Sequence, residues 1–237
     1  MTIVSIHQPE YLPWLGFFKK IMDSDIFVIF DDVQFEKKDW QNRNTICGKN
    51  GSILLTVPVK SHLKSKINDV IIDYEKNWIK KHLKSILLTY SSSSFFDEMN
   101  VLINNLYQNK FDKLIDLNME IIIQLMKKFR IKTKIIRSSE LTLSDNDPNK
   151  ILEICKRLNA KKYITGINWA MNNLDKSNFQ KHSIELEFRE FIHPTYKQLT
   201  ENFVTNMSSI DILFNEGEKN AREILSKSKI KKIQGIL

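Results

Sequence analysis

The segment from Thr133 to Gly166 constrains the fold most. Thr133–Arg137 reads as a strand, Ile151–Leu158 has the apolar spacing of an amphipathic helix, and Lys162–Thr165 reads as a second strand ending at Gly166. Asp147 suits the cap of that helix and Pro148 its first turn. A strand, a helix and a strand at this spacing form a βαβ unit, which implies parallel pairing and a right-handed crossover.

The opening residues add strands of the same kind. Thr2–Ile6 is followed by a loop with Pro9 and Pro13 and by a short helix over Leu15–Met22. Ile26–Phe30 is a continuous apolar run that stops abruptly at Asp31 and Asp32. Ile53–Val59 is β-branched, with Gly48 and Gly51 marking a turn before it, and is expected to pair with Ile26–Phe30 or to share a sheet with the first strand. Trp78, His82, Ile86 and Leu87 share one helical face, and Val101–Tyr107 and Leu114–Phe129 continue the helical pattern. Glu185–Phe191 alternates as a half-buried strand, and Ser208–Phe214 and Ala221–Leu225 read as closing helices. The expected class is α/β: a Rossmann-like, mostly parallel sheet in a single domain over 1–237, with a helical insertion at 75–130 and a basic C-terminal tail at 226–237.

Composition removes several alternatives. A chain of 237 residues with 42% hydrophobic residues is neither disordered nor a disulfide scaffold. No run approaches the length of a transmembrane helix, and MTIVSIHQPEYLPW lacks the pattern of a signal peptide, so a cytoplasmic protein with Cys47 and Cys155 as free thiols is expected. The net charge of +8 comes from 30 lysines against 6 arginines, a bias that raises the isoelectric point without implying a partner. Its distribution matters more. Residues 1–60 are neutral, 61–140 carry +5 and 141–237 carry +3, so the motif-rich start is not the basic part. A DNA-binding role is not expected; loose attraction to an anionic membrane surface or a polyanionic donor is.

Ligands of open parallel sheets gather beyond the carboxyl ends of the strands. His7-Gln8, Asp31-Asp32 and Gly166 each follow a strand and converge if those strands are neighbours. His7 can transfer protons near neutral pH or fix the following loop. Tyr11 and Trp14, in the rigid loop Pro9–Phe17, can stack a base or a sugar, or belong to the core. Asp31 and Asp32 suit a ribose hydroxyl, an amine, magnesium bound through substrate phosphates, or a plain turn. No third ligand follows at zinc spacing. Trp40, Asn42 and Arg43 bring an indole, an amide and a guanidinium together; Arg43 suits a phosphate or carboxylate, or holds Asp31 or Asp32. His193, Tyr196 and Gln198 are expected on an opposite wall. P-loop, dinucleotide-binding, nucleophile-elbow and zinc-protease signatures are absent.

Six segments together carry a resemblance: IHQPEYLPWLGFF at 6–18, FDDVQFEKKDWQNRN at 30–44, LTVPVK at 55–60, ILEICKRLNAKKYITG at 151–166, FREFIHPTYKQ at 188–198 and MSSIDILFNEG at 207–217. The chain resembles the WbqC-like protein family nearly end to end. That resemblance implies bacterial surface-polysaccharide synthesis, in O-antigen or capsule clusters, with transfer of an acyl or aminoacyl group to the amine of a nucleotide-linked sugar. In that reading His7 and Asp32 are catalytic. Gln8, Tyr11, Trp14, Asp31, Gln34, Trp40, Asn42, Gly166, His193, Tyr196 and Gln198 bind substrate, and Arg43 or Lys60 grips a diphosphate. The donor would be acyl-CoA or aminoacyl-tRNA, with magnesium an optional companion. The alternatives are a non-catalytic sugar-nucleotide-binding or scaffold protein, and a nucleotidylyltransferase-like enzyme. For the latter, Trp14 and Phe17 stand at the spacing of the histidines in the HIGH motif, and rings cannot supply their charge.

Overall fold

The computed structural model describes residues 1–49, 51–61, 64–144 and 147–233, without the side chains of Asn168 and Trp169. The central sheet starts with β1 (Ile3–His7), which continues through α1 (Leu15–Met22) into β2 (Ile26–Ile29). The two strands are parallel and adjacent, with Val4 opposite Ile26 and His7 opposite Ile29. Phe27 and Ile29 pack into one hydrophobic core, while Val28, Val4 and Ile6 pack into another on the opposite face. Burial on both faces explains why Ile26–Phe30 is a continuous apolar run rather than an alternating one.

Between β2 and the next sheet strand lie two small hairpins and three helices. β3 (Arg43–Gly48) and β4 (Gly51–Thr56) pair antiparallel as a sheet of their own. The Ile53–Val59 run therefore neither pairs with β2 nor joins the main sheet. It also divides: Pro58 has no N–H for a ladder, and β5 (Val59–Lys60) turns to pair with β6 (Ile71–Ile72). Then come α2 (Trp78–Tyr90), α3 (Phe96–Gln108) and α4 (Leu114–Lys128), whose apolar faces build the larger core.

The sheet resumes with β7 (Lys134–Arg137), followed by α5 (Lys150–Arg157) and β8 (Lys162–Gly166). Asp147 and Pro148 fall before the helix rather than at its cap and first turn: the cap position is Asn149, without a side-chain cap bond, and Asp147 Oδ1 accepts from the Asn149 N–H at 2.8 Å in the turn that precedes it. β7 and β8 are parallel but not neighbours, because the crossover passes over β1 and β2. β7 pairs with β2 and β8 with β1. After α6 (Asn168–Asn173) and α7 (Lys176–Lys181), β9 (Glu185–Phe191) extends the sheet parallel to β8. α8 (Ile210–Lys227) leads into β10 (Ile230–Ile233), so the spatial order is β10-β9-β8-β1-β2-β7. β10 runs antiparallel to β9. The basic stretch expected as a tail thus supplies an edge strand, and Lys231 and Lys232 blunt that edge with charge. This is a Rossmann-like α/β fold with helices on both faces. Among the described residues no helix is long and apolar enough to cross a membrane.

Two packing devices join the helical layer to the sheet. The two closing helices of the sequence reading follow one another within α8, divided at Gly217, whose φ 69° and ψ 175° are non-helical and lie in a region essentially reserved for glycine. A Cβ there would lie 2.5 Å from Cε1 of Phe95. The second device is a buried polar cluster. Tyr11 O–H donates to His82 Nδ1 at 2.8 Å and contacts the Tyr107 hydroxyl, while His82 Nε2–H donates to the Thr56 carbonyl at 3.1 Å. Burial lowers the His82 pKa to about 4.

Both devices generate tests. Gly217→Ala should cost about 2–4 kcal/mol from left-handed strain and overpacking, read as a lower midpoint in urea unfolding. For His82 the folded pKa lies below the unfolded value of 6.5, so the unfolded chain binds the proton first. Stability should therefore fall as the pH drops from 6.5 towards 4, a loss to which His7 adds with the same sign. His82→Gln should flatten that limb, and an unchanged slope would exclude His82 as a source.

Candidate active site

The chain leaves β1 towards β2 on one side and later returns to β8 on the other, so the carboxyl ends of β1 and β8 form the topological switch point. A cavity of about 1000 Å³ opens there, lined by His7 at the end of β1, Gln8 just after it, and Thr165 and Gly166 of β8. Trp14, Gly16 and Lys20 contribute one wall, and Asp39, Trp40 and Gln41 another. The predicted convergence of His7-Gln8 with Gly166 is what the strand order produces.

His7 is oriented by its neighbours. Its Nδ1–H donates to the Gln8 carbonyl at 2.9 Å, and the edge of its ring stands against Phe17, with centroids 5.3 Å apart. Burial, reinforced by the positive charge of Lys20, lowers its pKa to about 3. His7 is therefore a neutral imidazole at pH 7, with Nδ1 protonated and Nε2 left with a free lone pair. Among the described residues Nε2 has no hydrogen-bond partner. Gln8 Oε1 accepts from Gln41 Nε2 at 2.7 Å, and Gln41 Oε1 accepts from the Glu36 N–H at 3.1 Å. These amides lock the loop after β1 to the loop before β3.

Two indoles face the opening. The Trp14 ring meets Phe191 edge-on at 5.4 Å and lies across Gly16, where a Cβ would come within 2.3 Å of it. Trp40 is 48% exposed, with its carbonyl accepting from the Tyr11 N–H at 3.0 Å.

The sequence reading passes over the most unusual group in the cavity. Glu10 is 6% exposed, its Oε2 is buried without a hydrogen-bond partner among the described residues, and its Oε1 lies 3.8 Å from His7 Nδ1. Burial pushes its carboxyl up to about 8, with Lys20 opposing and Asp39 adding to the shift. The Lys20 ammonium is lowered to about 8 by burial, which Glu10 partly offsets. Arg189 also lines the cavity but is held by Asp23 at 3.0 Å and by Glu187. The signal for Glu10 was its place between Pro9 and Pro13, three residues from His7; for Lys20 it was one helical turn after Gly16.

The remaining candidates lie outside this cavity. Asp31 and Asp32 turn towards β7 and α5. Asp31 accepts from Arg137 Nε at 2.7 Å and from Ser139 Oγ at 2.9 Å, while Asp32 pairs with Lys150 at 2.7 Å and accepts from Ser138 Oγ. Both carboxylates clasp neighbouring elements, because cations from later in the chain reach them first. Arg43 is not the group that holds them; its Nε is buried without a partner among the described residues. Tyr11 is fully buried in the polar cluster of the core. Gln34 is an exposed residue bridged through its backbone to Lys66. Asn42 Nδ2 donates to the Val57 carbonyl at 2.8 Å, and Lys60 donates to Glu75 at 2.7 Å on the surface. Tyr196 O–H and Gln198 Nε2 donate to buried Asp211 at 2.7 and 2.9 Å. His193 lines a separate cavity of about 440 Å³. The wall expected from His193, Tyr196 and Gln198 is supplied instead by Phe191. Among the described residues no three His, Cys, Asp or Glu side chains could hold a metal ion together.

Comparison with known proteins bears on this arrangement. The family model described as the WbqC-like protein family matches residues 8–223, which includes most of the cavity-lining residues from Gln8 to Asn206. The uncharacterized protein Rv1507c of Mycobacterium tuberculosis (strain ATCC 25618 / H37Rv) is 31% identical over 221 residues, covering 92% of this chain and 95% of that protein. On the family match over most of its length and on this relative, the chain belongs to the WbqC-like protein family.

Proposed function

We propose that the chain transfers an acyl or aminoacyl group to the amine of a nucleotide-linked sugar, in the bacterial surface-polysaccharide setting that the family resemblance implies. The observation that carries this reading is His7: a neutral imidazole, with no partner for Nε2 among the described residues, in the lining of a cavity of about 1000 Å³ at the switch point of the sheet. A neutral imidazole has its lone pair free at pH 7, and the negative charge of a bound diphosphate beside Lys20 would raise its proton affinity towards that of a general base.

In this mechanism the amine nitrogen attacks the acyl carbon and a C–N bond forms. His7 Nε2 takes the proton that the nitrogen loses, then returns it to the leaving group as the bond from carbon to that group breaks. The products are the amide and the protonated donor carrier. Trp14 and Trp40 offer faces for the base or the sugar ring. Lys20 replaces Arg43 and Lys60 as the grip on the diphosphate, since it lines the cavity and makes no ion pair among the described residues. Asp32 has no part in the step because its carboxylate is committed to Lys150. The lysine-studded helices away from the cavity suit a polyanionic donor such as aminoacyl-tRNA, and acyl-CoA is the other donor class.

One observation favours a second reading, a non-catalytic sugar-nucleotide binder: His7 has no carboxylate within hydrogen-bonding distance, with Glu10 at 3.8 Å. Incubation of the protein with nucleotide-linked amino sugars and each donor class separates the two. Transfer predicts a gain of the acyl mass, and RNase sensitivity identifies a tRNA donor. Binding without turnover across both donor classes favours the binder. His7→Ala should lower the transfer rate by about 10²–10⁴-fold with the far-ultraviolet dichroism unchanged; an unaltered rate would remove His7 from the mechanism. Lys20→Met should raise KM for the nucleotide sugar about tenfold, a loss near 1.4 kcal/mol, and change kcat less.

A further inference from the structure

We propose that Glu10 is the receptor for a protonated amine, and that it makes the cavity select an amino sugar over the corresponding hydroxyl sugar. The identity of the ligand as a nucleotide sugar rests on the transfer reading; the subsite itself rests on Glu10.

The other acidic side chains at the cavity are occupied or open to water. Asp23 pairs with Arg189 and Lys19, Asp39 accepts from the Trp40 N–H, Glu190 faces Lys231 at 3.5 Å, and Glu36 is exposed. Glu10 alone is buried with an oxygen that no described donor reaches. A buried carboxylate without donors is costly, and the cost is relieved by a ligand that brings both hydrogen-bond donors and positive charge. A sugar hydroxyl brings one donor and no charge. An ammonium brings three donors and a full charge.

Position supports the same assignment. Glu10 sits beside His7 at the cavity, so the carboxylate that holds the ammonium is also placed to take one proton from it, leaving the neutral amine that attacks the acyl carbon and then gives its next proton to His7. The charged and titratable groups that act on Glu10 are Lys20 on α1, Asp39 in the loop before β3 and His7 at the end of β1. In the empty cavity the Glu10 carboxyl, held up to about 8, carries its proton at pH 7. An arriving ammonium favours the carboxylate, so binding releases a proton to the buffer.

Calorimetric titration of UDP-glucosamine and UDP-glucose into the intact protein at pH 7, in two buffers of different ionisation enthalpy, tests this. The amino sugar should bind at least tenfold tighter and release up to about one proton. Glu10→Gln should abolish both the preference and the proton release, with far-ultraviolet dichroism and the unfolding midpoint showing that the variant is folded. Should Glu10→Gln not fold, Glu10→Ala is read by the same control. Equal affinities in the native protein, a preference that survives in a folded Glu10 variant, or no binding of either sugar nucleotide would overturn the proposal. Selective binding without transfer from any donor defeats the transfer reading alone. Transfer at native rate and KM by Glu10→Gln defeats the subsite alone.

Discussion

Two-sided burial of β1 and β2 is the constraint from which the rest of the structure follows. Strands with apolar side chains on both faces can exist only between two layers of helices. That requirement places α5, α6 and α7 on one face and α1, α4 and α8 with their partners on the other. It also leaves polar groups one place to go, the carboxyl ends of the strands. His7, Asp31 and Asp32 all occur there, where the apolar runs stop. The crossover from β7 to β8 over the two central strands then opens the crevice beside His7 rather than beside Asp31.

The fates of three carboxylates show how sharply neighbours divide residues of one type. Asp31 and Asp32 are as buried as Glu10, but Arg137, Lys150 and the hydroxyls of Ser138 and Ser139 satisfy them. They act as clasps between β2, β7 and α5. Among the described residues Glu10 Oε2 receives no such donor, and burial keeps its carboxyl protonated at pH 7. Buried ion pairs contribute modestly to stability, but a buried carboxylate left alone is a standing demand for a partner. In the proposed function, that demand is met by substrate.

Much of the architecture was legible from local patterns. The strand of Glu185–Phe191, the helix of Leu15–Met22 and the helical stretch within 75–130 occur where periodicity and turn residues place them. Legibility failed where a segment's partner was distant. Ile53–Val59 has the composition of a sheet strand, yet Pro58 and the nearby β3 draw it into separate hairpins. The stretch 226–237 reads as a basic tail because its charge is visible, while the β9 edge that pairs with Ile230–Ile233 is not.

By itself the sequence determined the class of fold and the site's first landmarks: apolar runs of strand length, a helix between two of them, and a histidine and a glycine at the carboxyl ends of two strands. These are consequences of side-chain period and backbone preference over a few residues, which no distant neighbour is needed to establish. Only the tertiary structure decided which polar residues face the cavity. Tyr11 was claimed by His82 and Tyr107, Asp32 by Lys150, and Tyr196 and Gln198 by Asp211, whereas Glu10 and Lys20 were left facing the cavity. The physical reason is that a hydrogen bond or ion pair is settled by which donor comes within about 3 Å. In this chain that depends on the order of strands across the sheet, which local pattern does not encode.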